Sequence, residues 1–159
     1  MGFWKRYNFW KCKSFRICSS FWRCSGFWKP ENLSENAWVF KNGRISGNAR
    51  VFGKAWIYGN AIISGNVKVS GNAKISENVK IIGDVIVSGN AQVYGNAWIS
   101  GDAIVSGNAQ VSGNAQIFGN AKISGNAQVY EDAIVFGRTQ IYNDVKISGN
   151  EIITAGEYK

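Results

Sequence analysis

The sequence predicts an all-β chain: a single-stranded parallel β-helix, triangular in section, with eighteen residues per coil and six to seven coils. Three observations predict it. From Leu33 to Ile153 every sixth residue is aliphatic, and no insertion or deletion breaks the count. Two residues before each aliphatic stands a small residue, most often Ala, as at Ala37, Ala49, Ala91 and Ala133. Two residues after it comes Gly, followed by Asn or Asp, in most repeats.

The strand comes first in the unit. A period of six is even, so in extended chain Ala and Ile/Val point to one face and the residue between them to the other. The same period makes a poor helix face, because equivalent positions rotate apart at 3.6 residues per turn. Val, Ile, Tyr and Phe at these positions favour a pleated, half-buried surface.

The corner comes next. Gly and Asn both tolerate positive φ and interrupt a strand. At Lys41, Glu77, Glu131 and Asn143 the Gly is replaced, and Asn or Asp follows. At Lys54 and Arg138 the Asn is replaced, and Gly precedes. The expectation is one permissive residue per corner, supplied by either position.

Three hexads then close a coil, and stacked coils satisfy one another's backbone groups at a rise of about 4.8 Å. Each inward aliphatic stacks on the one eighteen residues away. At about 1.5–3 kcal/mol per buried aliphatic, the column opposes the chain entropy with tens of kcal/mol.

Units such as Gly89-Asn-Ala-Gln-Val-Tyr and Gly107-Asn-Ala-Gln-Val-Ser resemble the hexapeptide repeat of the left-handed parallel β-helix superfamily. That superfamily includes the trimeric UDP-N-acetylglucosamine acyltransferase type and the YdcK-type proteins. The resemblance covers nearly all of 33–153. It implies a left-handed coil, whereas the general rule for parallel crossovers favours the right hand. It also implies trimers.

Charge divides the chain. The formal net charge is +8, and seven of those charges belong to Lys5, Arg6, Lys11, Lys13, Arg16, Arg23 and Lys29, with no acid before Glu31. The repeat region is nearly neutral, so no nucleic-acid partner is expected for it. All three cysteines, Cys12, Cys18 and Cys24, lie in the same first segment, at a spacing that matches no common zinc or redox motif. No apolar run approaches the roughly 20 residues of a membrane span. Charges interrupt every apolar stretch near the start, which argues against a secretory signal and leaves the cytoplasm as the default location.

Residues 3–29 share the period of six but not the unit: Phe9-Trp-Lys-Cys-Lys-Ser and Phe21-Trp-Arg-Cys-Ser-Gly are examples. Read one nucleotide later, the Trp codon always yields Gly, and Lys-Cys can yield Asn-Ala. The segment 1–30 is therefore read as a frame-shifted, poorly ordered translation of about five further hexads, ahead of a solenoid over 31–154 and a tail over 155–159. A cationic aromatic membrane-surface segment is a rival reading, weakened because Phe every sixth residue makes no helix face. A genuine coil with Phe inside is another, weakened because Phe is oversized for a column of Ile and Val.

Sorting outward residues by eighteen-residue register gives three faces. One carries Trp38, Phe40, Trp56, Tyr58, Tyr94 and Tyr130, beside a column of Gln92, Gln110 and Gln128. Stacking between coils explains these aromatics, and a carbohydrate-stacking face is the alternative. A second face carries Ile62, Ile82, Trp98, Phe118, Ile134, Phe136 and Ile152 and is the candidate surface for self-association. The third mixes Lys68, Ile86, Ile104 and Lys122 with serines. Asp84 and Asp102 fall eighteen apart at one corner, where two carboxylates could share a cation, or where Asp merely replaces Asn.

By the resemblance, hexapeptide acyltransferases use a His general base and related carbonic anhydrases hold zinc with His. This chain has no His and no excursion between hexads in which to build such a site. The expected function is therefore a non-catalytic rod, spacer or assembly element without a cofactor. It would self-associate laterally or end to end. An acyltransferase-like protein lacking the usual base is the alternative.

Overall fold

The computed structural model describes residues 37–39 and 41–159. The expectations placed on residues 1–30, on Leu33 and on Phe40 lie outside the described residues. Everything described is strand or corner, with no helix, and the strands form three parallel sheets of seven strands each.

The first sheet stacks Trp38–Val39, Trp56–Ile57, Lys74–Ile75, Gln92–Val93, Gln110–Val111, Gln128–Val129 and Lys146–Ile147. The second stacks Arg44–Ile45, Ile62–Gly65, Lys80–Gly83, Trp98–Gly101, Gln116–Ile117, Ile134–Val135 and Ile152–Ile153. The third stacks Arg50–Val51, Lys68–Val69, Ile86–Val87, Ile104–Val105, Lys122–Ile123, Gln140–Ile141 and Glu157–Tyr158. The chain visits the sheets in rotation, so it is a solenoid of about seven turns. Pairings such as Trp38↔Trp56, Gln92↔Gln110 and Ile134↔Ile152 set the coil at eighteen residues.

Even period becomes inside and outside as expected. Ile57, Ile63, Ile75, Ile81, Ile99, Ile117 and Ile123 are wholly buried, and so are Ala55, Ala73, Ala91 and Ala109, each two positions before an aliphatic of the column. Val67, Val79 and Val85 occupy the small slot and are equally buried. Thr139 does too; its hydroxyl donates to the Phe136 carbonyl at 2.7 Å, which satisfies the polar group buried there. Between coils, outward residues donate their N–H upward: Trp38 to Ala55 O at 2.8 Å, Gln92 to Ala109 O at 2.9 Å, Ile134 to Glu151 O at 2.8 Å.

The corners differ from the expectation in one respect. Positive φ belongs to the first corner residue throughout, whether Gly or not: Lys41, Glu77, Glu131 and Asn143 themselves sit at φ of 61°, 66°, 61° and 56°. The following Asn or Asp does not take over the left-handed conformation. Its work lies in the side chain. The Nδ2 of Asn42 donates to Oδ1 of Asn60, Asn60 to Asn78, Asn78 to Asn96, and Asn96 to Asn114, all at 2.9–3.1 Å. That ladder ends when Asn114 donates to Asp132 at 2.8 Å. A second ladder runs from Asn72 through Asn90, Asn108 and Asn126 to Asp144. A third runs from Asn48 through Asn66 to Asp84. Each ladder ends at an Asp because a carboxylate accepts and has nothing to pass on.

The left-handed residues that carry a Cβ obey a spacing rule. Lys41 is followed one coil on by Gly59, Glu77 by Gly95 and Glu131 by Gly149. A Cβ at such a corner points at the backbone of the next coil: one built on Gly59 would lie 2.7 Å from Glu77 N. No column of the described corners places two such residues in consecutive coils.

At the last coil the hexad count shortens. Gln140 pairs with Glu157 and Ile141 with Tyr158, a register of seventeen instead of eighteen. Residues 154–159 leave the sequence pattern, yet they complete the third sheet, and Tyr158 packs against the core in an aliphatic's place. Glu151 holds an inward slot by count but is exposed, since its small slot lies in this last coil.

Candidate functional site

Two outer faces and one corner present the candidate side chains, and the sheets fix the place of each. On the first sheet, Trp38 and Trp56 are 38% and 45% exposed, with ring centroids 6.3 Å apart and planes tilted by 40°. Two residues further along each strand runs a second column: Tyr58, Ser76, Tyr94, Ser112, Tyr130, Ser148. Its members are adjacent because Tyr58 N–H donates to Ile75 O, Ser76 to Val93 O, Tyr94 to Val111 O, Ser112 to Val129 O and Tyr130 to Ile147 O. Tyrosine and serine alternate coil by coil. The three tyrosines are half-buried, and Ser76, although outward, is only 6% exposed. Its neighbours in the column are Tyr58 and Tyr94.

The second sheet carries the apolar set as a zigzag. Ile62, Trp98, Ile134 and Ile152 lie in one column, interrupted by Lys80 and Gln116. Ile82, Phe118 and Phe136 lie two residues further along their strands. One apolar side chain therefore follows another from coil to coil, first on one column and then on the other. Trp98 and Phe118 meet edge to face with centroids 5.4 Å apart, an arrangement that aromatic quadrupoles favour. Ile82, Phe136 and Ile152 remain 41%, 40% and 62% exposed.

At the corner between the second and third sheets, Gly83 pairs with Gly101, so Asp84 and Asp102 are neighbours in adjacent coils. Asp84 accepts from Asn66 Nδ2 at 2.6 Å, and its own N–H donates to Gly101 O at 2.8 Å. Two acceptor-only groups meet here, and the ladder stops. Among the described residues no three His, Cys, Asp or Glu side chains gather as a metal site would require. No described helix is long and apolar enough to cross a membrane.

Among the described residues, Trp38, Trp56, Tyr58, Tyr94 and Tyr130 share the first sheet, and Ile62, Ile82, Trp98, Phe118, Ile134, Phe136 and Ile152 share the second. Register sorting missed Phe52, 43% exposed on the third sheet, whose outward position was legible from its place one residue after Val51. It also missed the asparagine ladders, for which the signal was the eighteen-residue recurrence of Asn itself.

Among protein families, the YdcK β-solenoid repeat matches residues 44–58, 91–107, 97–113 and 115–131. No curated protein matches the chain significantly.

Proposed function

We propose that this chain, a hexapeptide-repeat-like β-helix of the YdcK type, works as a non-catalytic rod: a structural or interaction element that presents flat outer faces. One observation carries the reading. The described chain is spent on the coil, with hexad following hexad as far as Ile153 and no loop leaving the stack. Polar side chains that could have lined a site are engaged in holding the coils instead, as in the ladder from Asn42 to Asp132. The sequence also offers no His to act as a general base. A turnover assay with acyl-CoA donors and a panel of amine and hydroxyl acceptors tests the reading. No turnover is expected; reproducible turnover by the full chain would return the acyltransferase-like alternative.

Self-association through the second sheet belongs to the same proposal. The zigzag from Ile62 to Ile152 runs the length of the rod, and contiguous exposed apolar strips mark contact surfaces. The strip's flanks differ in charge along the rod. Lys41, Arg44 and Lys80 with Glu77 lie toward one end, and Glu131, Asp132 and Glu151 with Arg138 lie toward the other. Two copies packed antiparallel on this sheet would bring the basic end of each beside the acidic end of its partner. Sedimentation velocity of the full chain is expected to show an oligomer that Trp98→Ser weakens. A monomer at all concentrations would end this part of the proposal.

A further inference from the structure

We propose that the outer face of the first sheet binds a neutral, extended β-1,4-linked pyranose chain lying along the rod axis. The proposal goes beyond the structural role above and holds whether or not the rod self-associates.

Spacing is the first observation. Tyr58, Tyr94 and Tyr130 recur every second coil, in one column fixed by consecutive backbone hydrogen bonds. Two coils at the strand separation amount to about 9.6 Å, close to the length of about 10 Å that two sugars occupy in an extended β-1,4 chain. In such a chain successive rings turn over. Every second sugar therefore presents the same face to a surface beneath it. A column that alternates a ring with a small residue matches that alternation: a tyrosine under one sugar, and Ser112 under the next.

Chemistry is the second. Sugars stack their C–H faces on aromatic rings and need hydrogen-bonding groups at the edge. The column beside the tyrosines supplies them as Gln92, Gln110 and Gln128, paired strand on strand. Their amides hold no hydrogen bond among the described residues, and neither do the hydroxyls of Tyr94 and Tyr130. The corner asparagines, by contrast, are already committed to ladders.

Charge is the third. From Gln92 to Tyr130 both columns of this face are uncharged, with Lys74 before and Lys146 after. Over these three coils a strip of amides, hydroxyls and rings without charge complements a neutral polyol.

The test is titration calorimetry of the full chain with cellohexaose and chitohexaose, with maltohexaose and cellobiose as comparisons. Binding of either β-1,4 hexasaccharide supports the proposal, and the stronger of the two identifies the sugar as a glucose or an N-acetylglucosamine polymer. Maltohexaose has the wrong repeat, and cellobiose is too short to bridge two rings. Each is expected to bind at least tenfold more weakly. Tyr94→Ser, which places in the column the residue already found at Ser76 and Ser112, is expected to weaken binding about tenfold. Gln110→Ala, an independent change on the neighbouring column, is expected to weaken it about threefold. Lys122→Ser on the third sheet leaves it unchanged. Failure of both hexasaccharides to bind overturns the proposal. So does equal binding of maltohexaose or cellobiose, or unaltered binding in both the Tyr94 and Gln110 variants.

Discussion

Two glycines with the same backbone conformation separate strain from crowding. Gly113 and Gly119 both sit at φ +67°. An alanine at either must adopt the left-handed region, at about 1–2 kcal/mol. What differs is the coil above. A Cβ on Gly113 would lie 2.7 Å from Glu131 N and 2.9 Å from its Cα, whereas one on Gly119 meets nothing nearer than Gly137 O at 3.1 Å. The first contact is with the backbone of a corner held between Gln128–Val129 and Ile134–Val135, and it cannot relax by rotating a side chain. Overpacking of this kind adds about 1–3 kcal/mol. Gly119→Ala should therefore cost about 1.5 kcal/mol and Gly113→Ala about 3 kcal/mol or more. In a chain of this size that corresponds to Tm losses of about 3–6 °C and about 6–12 °C. Thermal melts followed by far-UV circular dichroism, with both variants in one buffer, compare them directly. Equal losses, or a larger loss at Gly119, would refute the argument that a corner Cβ is limited by the coil above.

Other outcomes follow from the same geometry. Ile99 is wholly buried in the middle strand of the second sheet, between Ile81 and Ile117. Ile99→Ala should cost about 2–5 kcal/mol in urea unfolding, and Ile99→Asp should abolish the cooperative transition. Asp84→Asn gives the shortest ladder a donor toward Asp102 and removes one of two adjacent carboxylates. It should raise stability by about 0.5–1.5 kcal/mol, and a lowered Tm would count against the ladder account. Asn96→Asp does the reverse in the middle of the longest ladder, deleting the donation to Asn114. A loss of about 1 kcal/mol is expected by the same melt.

The sequence by itself determined the coil. An aliphatic at every sixth position has one way to leave water in extended chain, and that way forces an inward column, an outward column and a corner. Face membership followed from the register of eighteen: Trp38 and Tyr94 on one sheet, Ile82 and Trp98 on another. Composition also showed which residue could take positive φ at most corners, because Gly is so regular there.

Tertiary structure decided what depends on distances between coils. Both corner residues tolerate positive φ in principle, and only the stacked backbone assigns it to the first, at Lys41 and Glu131 as much as at glycine. Asparagine's part is invisible in a single hexad, since its partner lies eighteen residues away and must come within about 3 Å. Thr154 to Lys159 read as a departure from the repeat, and the third sheet shows them shortening the last turn by one residue to place Tyr158 on the core. A periodic pattern states which residues share a face; the rise between turns sets what neighbours on that face can reach, and that quantity belongs to the stack rather than to any one repeat.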